Sequence, residues 1–245
     1  MEEPQDNRSA WESEAQNWIA WARAPDHDDY WDYAPRFFND IVPPPSGRTV
    51  EVGCGEGRVT RDLRDAGHDV FSIDGAPSLV RAAAEADPDR RRYVLADAAT
   101  LPFADASFGC VVAYNSLMDM DDMPGVVREA SRVLSPGGTL CVCVTHPMVD
   151  AGRFETREPN ARFIIDRPYL DPQPFDGSFE RAGLRIRFRG WTFPLEAYAR
   201  AFEDSGFVIE RIREPGQTAA AVEGDPAEAR WQRLANFLFI RARKR

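Results

Sequence analysis

The residues best placed to do chemistry are a glycine loop, a carboxylate after it and one histidine further on. Glycines stand at every second position in Glu51-Val52-Gly53-Cys54-Gly55-Glu56-Gly57, directly after the β-branched run Thr49-Val50. Glycine permits positive φ and removes the β-carbons that would keep a ligand off the backbone, so the loop N–H groups can face that ligand. A dinucleotide fingerprint, G-x-G-x-x-G, would need its third glycine at position 58, which is Arg58. Asp74 closes the apolar run that begins at Asp69. An acid about 20 residues beyond the first glycine, at the end of a second strand, can accept both ribose hydroxyls and would repel a 2′-phosphate. Its alternative use is to cap the helix that starts at Pro77, although Ser78 or Gly75 could serve there equally. His146 leaves a strand as Thr145-His146-Pro147, and the proline biases it to an extended conformation near the edge of a sheet. An imidazole there could take a proton from a hydroxyl or amine. It could equally pack beneath the following segment or cap a backbone group. His27, among Asp26, Asp28 and Asp29, is a second candidate if the N-terminal segment closes over the site.

Strands are expected at 49–52, 69–74, 92–98, 110–114, 139–145, 207–212 and 237–243, with helices after 58, over 77–86, 126–134 and 194–205. Strand and helix alternating in this way predict an α/β, Rossmann-like doubly wound sheet. Residues 1–45 are expected to form a helical lid segment before a domain over 46–245. Within it Trp11, Trp18 and Trp21 share a helical face, and core packing accounts for them as readily as a lid does. Between 147 and 192 the rhythm breaks, and prolines at 147, 159, 168, 172 and 174 argue against a long regular element. This reads as an insertion on the substrate side. Its one expected strand, 183–189, puts Arg185, Arg187 and Arg189 on one face, either as a solvated face or as a clamp for an anionic substrate.

Three segments resemble the class I S-adenosylmethionine-dependent methyltransferases, in particular small-molecule enzymes with a "methyltransferase 11"-like domain. They are Glu51 to Gly57, the run from Leu95 to Phe108 containing Ala96-Asp97-Ala98 and Leu101-Pro102-Phe103, and Arg128-Glu129-Ala130-Ser131-Arg132-Val133-Leu134-Ser135-Pro136-Gly137-Gly138. Gly109 departs from the pattern, where the family more often has Asp. The resemblance implies seven strands in the order 3-2-1-4-5-7-6 with the last antiparallel, and S-adenosyl-L-methionine as cofactor, released as S-adenosyl-L-homocysteine. It implies cofactor contacts from Glu51, Gly53, Cys54, Gly55 and Gly57, ribose contacts at Asp74 and Gly75, and adenine contacts at Asp97 and Ala98. Asn115, Ser116 and Leu117 would approach the methionine part. Tyr30 and Tyr33, with Trp31, would turn aromatic faces to the sulfonium cation.

The formal net charge of −10 over 245 residues disfavours a nucleic-acid partner and favours a small molecule. No apolar run approaches the ~20 residues of a membrane helix, and Met1 to Asp6 lacks the form of a signal peptide, so a cytoplasmic monomer or homodimer is expected. The four cysteines show no metal spacing. The reading is methyl transfer to an O-, N- or C-nucleophile. Its rivals are a protein of the same fold that binds the cofactor without methylating, and a nicotinamide-dependent oxidoreductase, which Arg58 disfavours.

Overall fold

The computed structural model describes residues 6–245, so the first five residues of the expected lid segment lie outside it. Seven strands form one sheet in the order β3-β2-β1-β4-β5-β11-β10. These are β1 (Arg48–Val52), β2 (Asp69–Asp74), β3 (Tyr93–Leu95), β4 (Phe108–Tyr114), β5 (Leu134–Thr145), β10 (Phe207–Arg213) and β11 (Phe237–Lys244). The first five run parallel, and β11 lies antiparallel to both β5 and β10. In chain order this is the expected 3-2-1-4-5-7-6.

Buried parallel strands must be apolar on both faces, and the alternation here decides which helices cover which face. Val111 and Ala113 of β4, with Leu140, Val142 and Val144 of β5, meet α5 (Met123–Val133) and α7 (Leu195–Asp204). Cys110, Val112 and Tyr114, with Cys141 and Cys143, meet α2 (Tyr30–Asp40) and α3 (Arg58–Asp65). The cysteines are therefore small core residues, all four free. The long helix α1 (Asn7–Arg23) lies against α4 (Pro77–Glu85) through Ala15, Trp18 and Leu79.

Two details differ from the sequence-based expectation. The segment between β10 and β11 contains a short helix, α8 (Ala219–Gly224), which Thr218 caps by accepting the Ala221 N–H. The proline-rich segment after β5 is also more regular than its composition suggests. It holds α6 (Pro147–Asp150), a short hairpin of β6 (Gly152–Phe154) and β7 (Phe163–Ile165), and a hairpin of two nine-residue strands, β8 (Gln173–Arg181) and β9 (Leu184–Thr192). Pro174 is tolerated because each strand of a two-stranded sheet has an open edge. Ala182 and Gly183 turn the hairpin with φ of 48° and 79°, as a tight primed turn requires. Phe188 of β9 packs against Trp11, Trp18 and Trp21, with ring centroids 6.0–6.4 Å apart, and this joins the hairpin to α1.

Candidate active site

Every strand of the parallel group delivers a predicted residue at its C-terminal end. Gly53 follows β1, Asp74 ends β2, Asp97 lies two residues beyond β3, Asn115 follows β4 and His146 follows β5. In open α/β sheets this edge is where ligands bind.

The loop Gly53–Gly57 turns through three positive φ values, 75°, 55° and 89°. Its approach to its surroundings is close: a β-carbon on Gly53 would lie 2.5 Å from Ser116 Cβ, and one on Gly55 would lie 2.7 Å from Trp18 Nε1. The N–H groups of Gly53 and Cys54 both reach the carbonyl of Ile73 at 2.9 Å, which ties the loop to β2. Asp74 completes the tie. Its Oδ2 accepts the Gly55 N–H at 2.8 Å and its Oδ1 accepts the Ala76 N–H at 2.9 Å, so the carboxylate is fixed between the glycine loop and the approach to α4. Burial pushes the Asp74 carboxyl up, opposed by the backbone N–H groups of Ala76, Gly55 and Gly75. The helix-cap alternative is taken by another residue: Glu12 of α1 accepts both the N–H and the hydroxyl of Ser78, at 2.9 and 2.7 Å.

Several predicted residues brace the loop. Glu51 is buried and accepts the Thr60 hydroxyl, and burial pushes its carboxyl up to about 8. Ser116 donates its hydroxyl to the Val52 carbonyl at 2.7 Å. Asn115 sits at φ 49°, its backbone N–H and side-chain oxygen both held by Cys143. Cys54, Ala98 and Leu117 are buried. The Cys54 thiol is pushed well up by burial, which makes it inert.

The aromatic assignments need correction. Tyr30 and Tyr33 lie on the core face of α2: Tyr30 donates to Asp62 at 2.5 Å and meets Tyr114 edge-on, while Tyr33 packs on Phe237 at 4.8 Å. The aromatic side chain on the glycine loop is Trp18. Arg58, where the dinucleotide fingerprint has glycine, anchors this segment instead. Its guanidinium pairs with Asp28 at 2.8 Å and lies 4.1 Å from the Tyr30 ring centroid and 5.0 Å from that of Trp18.

His146 has both ring nitrogens engaged. Nδ1 accepts the Met148 N–H at 3.1 Å as the cap of α6, and Nε2 lies 2.8 Å from Glu214 Oε1. A carboxylate only accepts, so Nε2 carries the proton and no ring lone pair is left free for a substrate. The capping alternative therefore describes His146 as it stands. His27 is buried edge-on to Trp21 with centroids 4.3 Å apart, and its Nε2 has no partner among the described residues. The expected arginine face is likewise committed. Arg187 binds Asp176 through two bonds of 2.6 and 2.7 Å, Arg189 reaches the same carboxylate at 3.2 Å, and Arg185 pairs with Glu180 at 2.7 Å. The acids lie on β8, a strand that periodicity alone did not reveal.

Sequence reasoning also missed Arg8. Its Nη1 donates to Asp97 Oδ2 at 3.1 Å, and a β-carbon on Gly75 would lie 2.9 Å from its side chain, so Arg8 spans the interval between an expected ribose contact and an expected adenine contact. Among the described residues, no cluster of three or more His, Cys, Asp or Glu side chains could hold a metal ion, and no helix is long and apolar enough to cross a membrane.

This geometry agrees with the comparisons to known proteins. The family described as "Methyltransferase domain" matches residues 50–142, which span the loop, Asp74, Asp97 and Asn115. A structure of an S-adenosylmethionine-dependent methyltransferase from Mesorhizobium loti superposes with a TM-score of 0.71 at 26% identity, covering 89% of this chain and 99% of that one. Residues 50–142 match the methyltransferase-domain family, and the chain shares the fold of an S-adenosylmethionine-dependent methyltransferase. Among curated relatives, the 2-methyl-6-phytyl-1,4-hydroquinone methyltransferase of Synechocystis is 35% identical over 176 residues, 69% of this chain and 49% of that protein. The demethylmenaquinone methyltransferase of Renibacterium salmoninarum is 33% identical over 113 residues, 46% of each chain. The chain spans about half the length of these relatives. The cofactor of this family is S-adenosylmethionine, and the residues fit it: a glycine loop with three positive φ values at the sheet edge, an acid held at the end of β2, and a second acid beyond β3.

Proposed function

We propose that this protein transfers a methyl group from S-adenosylmethionine to a small-molecule acceptor, with the backbone of Gly53–Gly57, the carboxylate of Asp74 and that of Asp97 holding the cofactor. The observation that carries this reading is the shared edge: three cofactor-type elements from three strands meet at the C-terminal ends of one sheet, with Asp74 bonded into the loop itself. When bound, the cofactor supplies a methyl carbon on a sulfonium leaving group, to which a nucleophile's lone pair bonds as the carbon–sulfur bond breaks with its electrons to sulfur.

The chain's own work is then to bind, orient and exclude water. Asp74 accepts from the ribose with oxygens that Gly55 and Ala76 already orient, so little reorganisation is needed on binding. Helix α1 and the β8–β9 hairpin form the cover, joined through Trp11, Trp18, Trp21 and Phe188. For adenine to reach Asp97, the N-terminal turn of α1 must release the Arg8 contact. The insertion lies on the acceptor side, where it sets which molecule is used. Release of S-adenosylhomocysteine on incubation with cofactor and an acceptor library, detected together with a product one methyl heavier, tests the reading. Tight binding without turnover of any acceptor would support the non-methylating alternative.

A further inference from the structure

Helix α1 lies on the residues that the proposed cofactor site uses. Arg8, in its first turn, donates to Asp97 at 3.1 Å, and its side chain stands 2.9 Å from where a β-carbon on Gly75 would lie. Trp18, towards the other end, comes as close to Gly55, with Nε1 2.7 Å from the position of a β-carbon there. One helix therefore covers the glycine loop, the ribose position and the adenine position together.

The two ends of α1 are held in different ways. At the C-terminal end Arg23 pairs at 2.8 Å with Glu56, a glycine-loop carboxylate that is 1% exposed and also bound by Arg61, and it donates to the Ala82 carbonyl at 2.9 Å. At the N-terminal end the contacts are on the surface. The side chains of Arg8 and Asp97 are 54% and 40% exposed, and the Asn7 N–H donates to the exposed Asp121 at 3.1 Å. Asp121 also accepts from Trp191 Nε1 at 3.3 Å, so it fastens the start of the helix to the β8–β9 hairpin. An open groove of about 350 Å³ separates these first turns from the sheet edge, lined by Asp6, Arg8, Ser9 and Glu12 on one side and by Gly75 and Pro77 on the other. Exposed polar contacts contribute little to holding the helix down, whereas separating a buried carboxylate from its guanidinium partners is costly. Arg23 is therefore a pivot, and Asp97 and Asp121 form a latch. At about 1.5 Å per residue Arg8 lies about 22 Å from Arg23, so a tilt of about 15° carries it about 6 Å, enough to break its bond to Asp97.

We propose that α1 is an autoinhibitory gate, which competes with S-adenosylmethionine for Asp97 and Gly75 and opens by tilting at Arg23 as Asn7 leaves Asp121. This rests on the cofactor reading above. The ligand binds the tilted state, so its apparent affinity is reduced by the fraction of molecules in which the helix is tilted. Weakening the latch raises that fraction, which speeds association and tightens binding together and leaves dissociation unchanged. A fixed cover predicts the reverse: loss of Asp121 would leave binding as it is or loosen it.

The test follows S-adenosylhomocysteine association by stopped-flow tryptophan fluorescence, with affinity measured by calorimetry. Asp121→Ala should speed association and tighten binding by about 2- to 10-fold each, the range for one lost hydrogen bond, with dissociation unchanged. A second variant, Asn7→Cys with Asp121→Cys, is joined by a disulfide-containing bismaleimide, to which the four native cysteines, all buried, are closed. The joined protein should bind S-adenosylhomocysteine at least about tenfold more weakly than the unjoined one, and reduction of the linker should restore binding. The inference is overturned if Asp121→Ala leaves association unchanged or slows it, if it speeds dissociation by the same factor, or if the joined protein binds as tightly as the unjoined one. Failure of the wild-type protein to bind S-adenosylhomocysteine is a different result, since it removes the cofactor reading itself.

Discussion

Asp74 and Asp150 are carboxylates at the same edge of the same sheet, and burial pushes both upward, yet their surroundings differ in kind. Asp74 is held by two backbone N–H groups and positioned before any ligand arrives. Asp150 has no such donor among the described residues, and the charge that opposes its upward shift is the Arg167 guanidinium. The cofactor half proposed here combines the loop backbone with the carboxylates of Asp74 and Asp97, and the first of these is fixed by the backbone. On the other side of the same edge Asp150 is partly exposed and has no backbone donor to its carboxylate among the described residues.

The largest expected effect breaks the first half. Asp74→Ala should weaken S-adenosylhomocysteine binding by about 30- to 1000-fold, on the order of 2–4 kcal/mol for hydrogen bonds to a charged acceptor, with the fold retained by circular dichroism. An unchanged calorimetric affinity would refute the ribose role. The second concerns the support beneath the loop. The Glu51 carboxyl, held at about 8 when folded, titrates in the ordinary carboxylate range when unfolded, so the folded state binds the extra proton between those values. Stability contributed by this protonated form is present at low pH and lost as pH rises through that window, by at most about 1.4 kcal/mol per pH unit. Glu51→Gln keeps an acceptor for Thr60 and removes the titration. Its stability relative to wild type should therefore rise between pH 5 and 8 in denaturant titrations, and a constant difference would contradict a protonated Glu51.

The two halves also differ in how far they could be read from the chain. The glycine loop, Asp74 and the strand order were legible because each is local: φ requirements select glycine, and an acid closing an apolar strand keeps its place along the sequence. Trp18 and Arg8 were not, because each depends on which distant elements pack together. The arginine face of β9 shows the same limit. Its alternation was visible, but its neutralisation by Asp176 and Glu180 required knowing that a second strand pairs with it. Tyr30 and Tyr33 erred for a related reason, since an aromatic residue on an amphipathic helix suits a core as well as a ligand.

Smaller effects sharpen the boundary between the halves. His146→Gln should lower kcat by less than about tenfold with an unchanged pH profile, because both ring nitrogens already have protein partners. It should cost about 1 kcal/mol of stability through the lost helix cap. A larger loss of kcat with a shifted profile would return His146 to the chemistry. Arg8→Ala should speed S-adenosylhomocysteine association and tighten binding by a few-fold at most, since an exposed ion pair contributes about 0–1 kcal/mol. Slower association in stopped-flow tryptophan fluorescence would mean that Arg8 holds the ligand and does not compete with it.

We propose the loop, Asp74 and Asp97 as one S-adenosylmethionine site. The most direct measurement is calorimetric titration of the wild-type protein with S-adenosylhomocysteine and, separately, with NADH. One-to-one binding of S-adenosylhomocysteine and none of NADH is expected, and binding of NADH without S-adenosylhomocysteine would rule out the S-adenosylmethionine site.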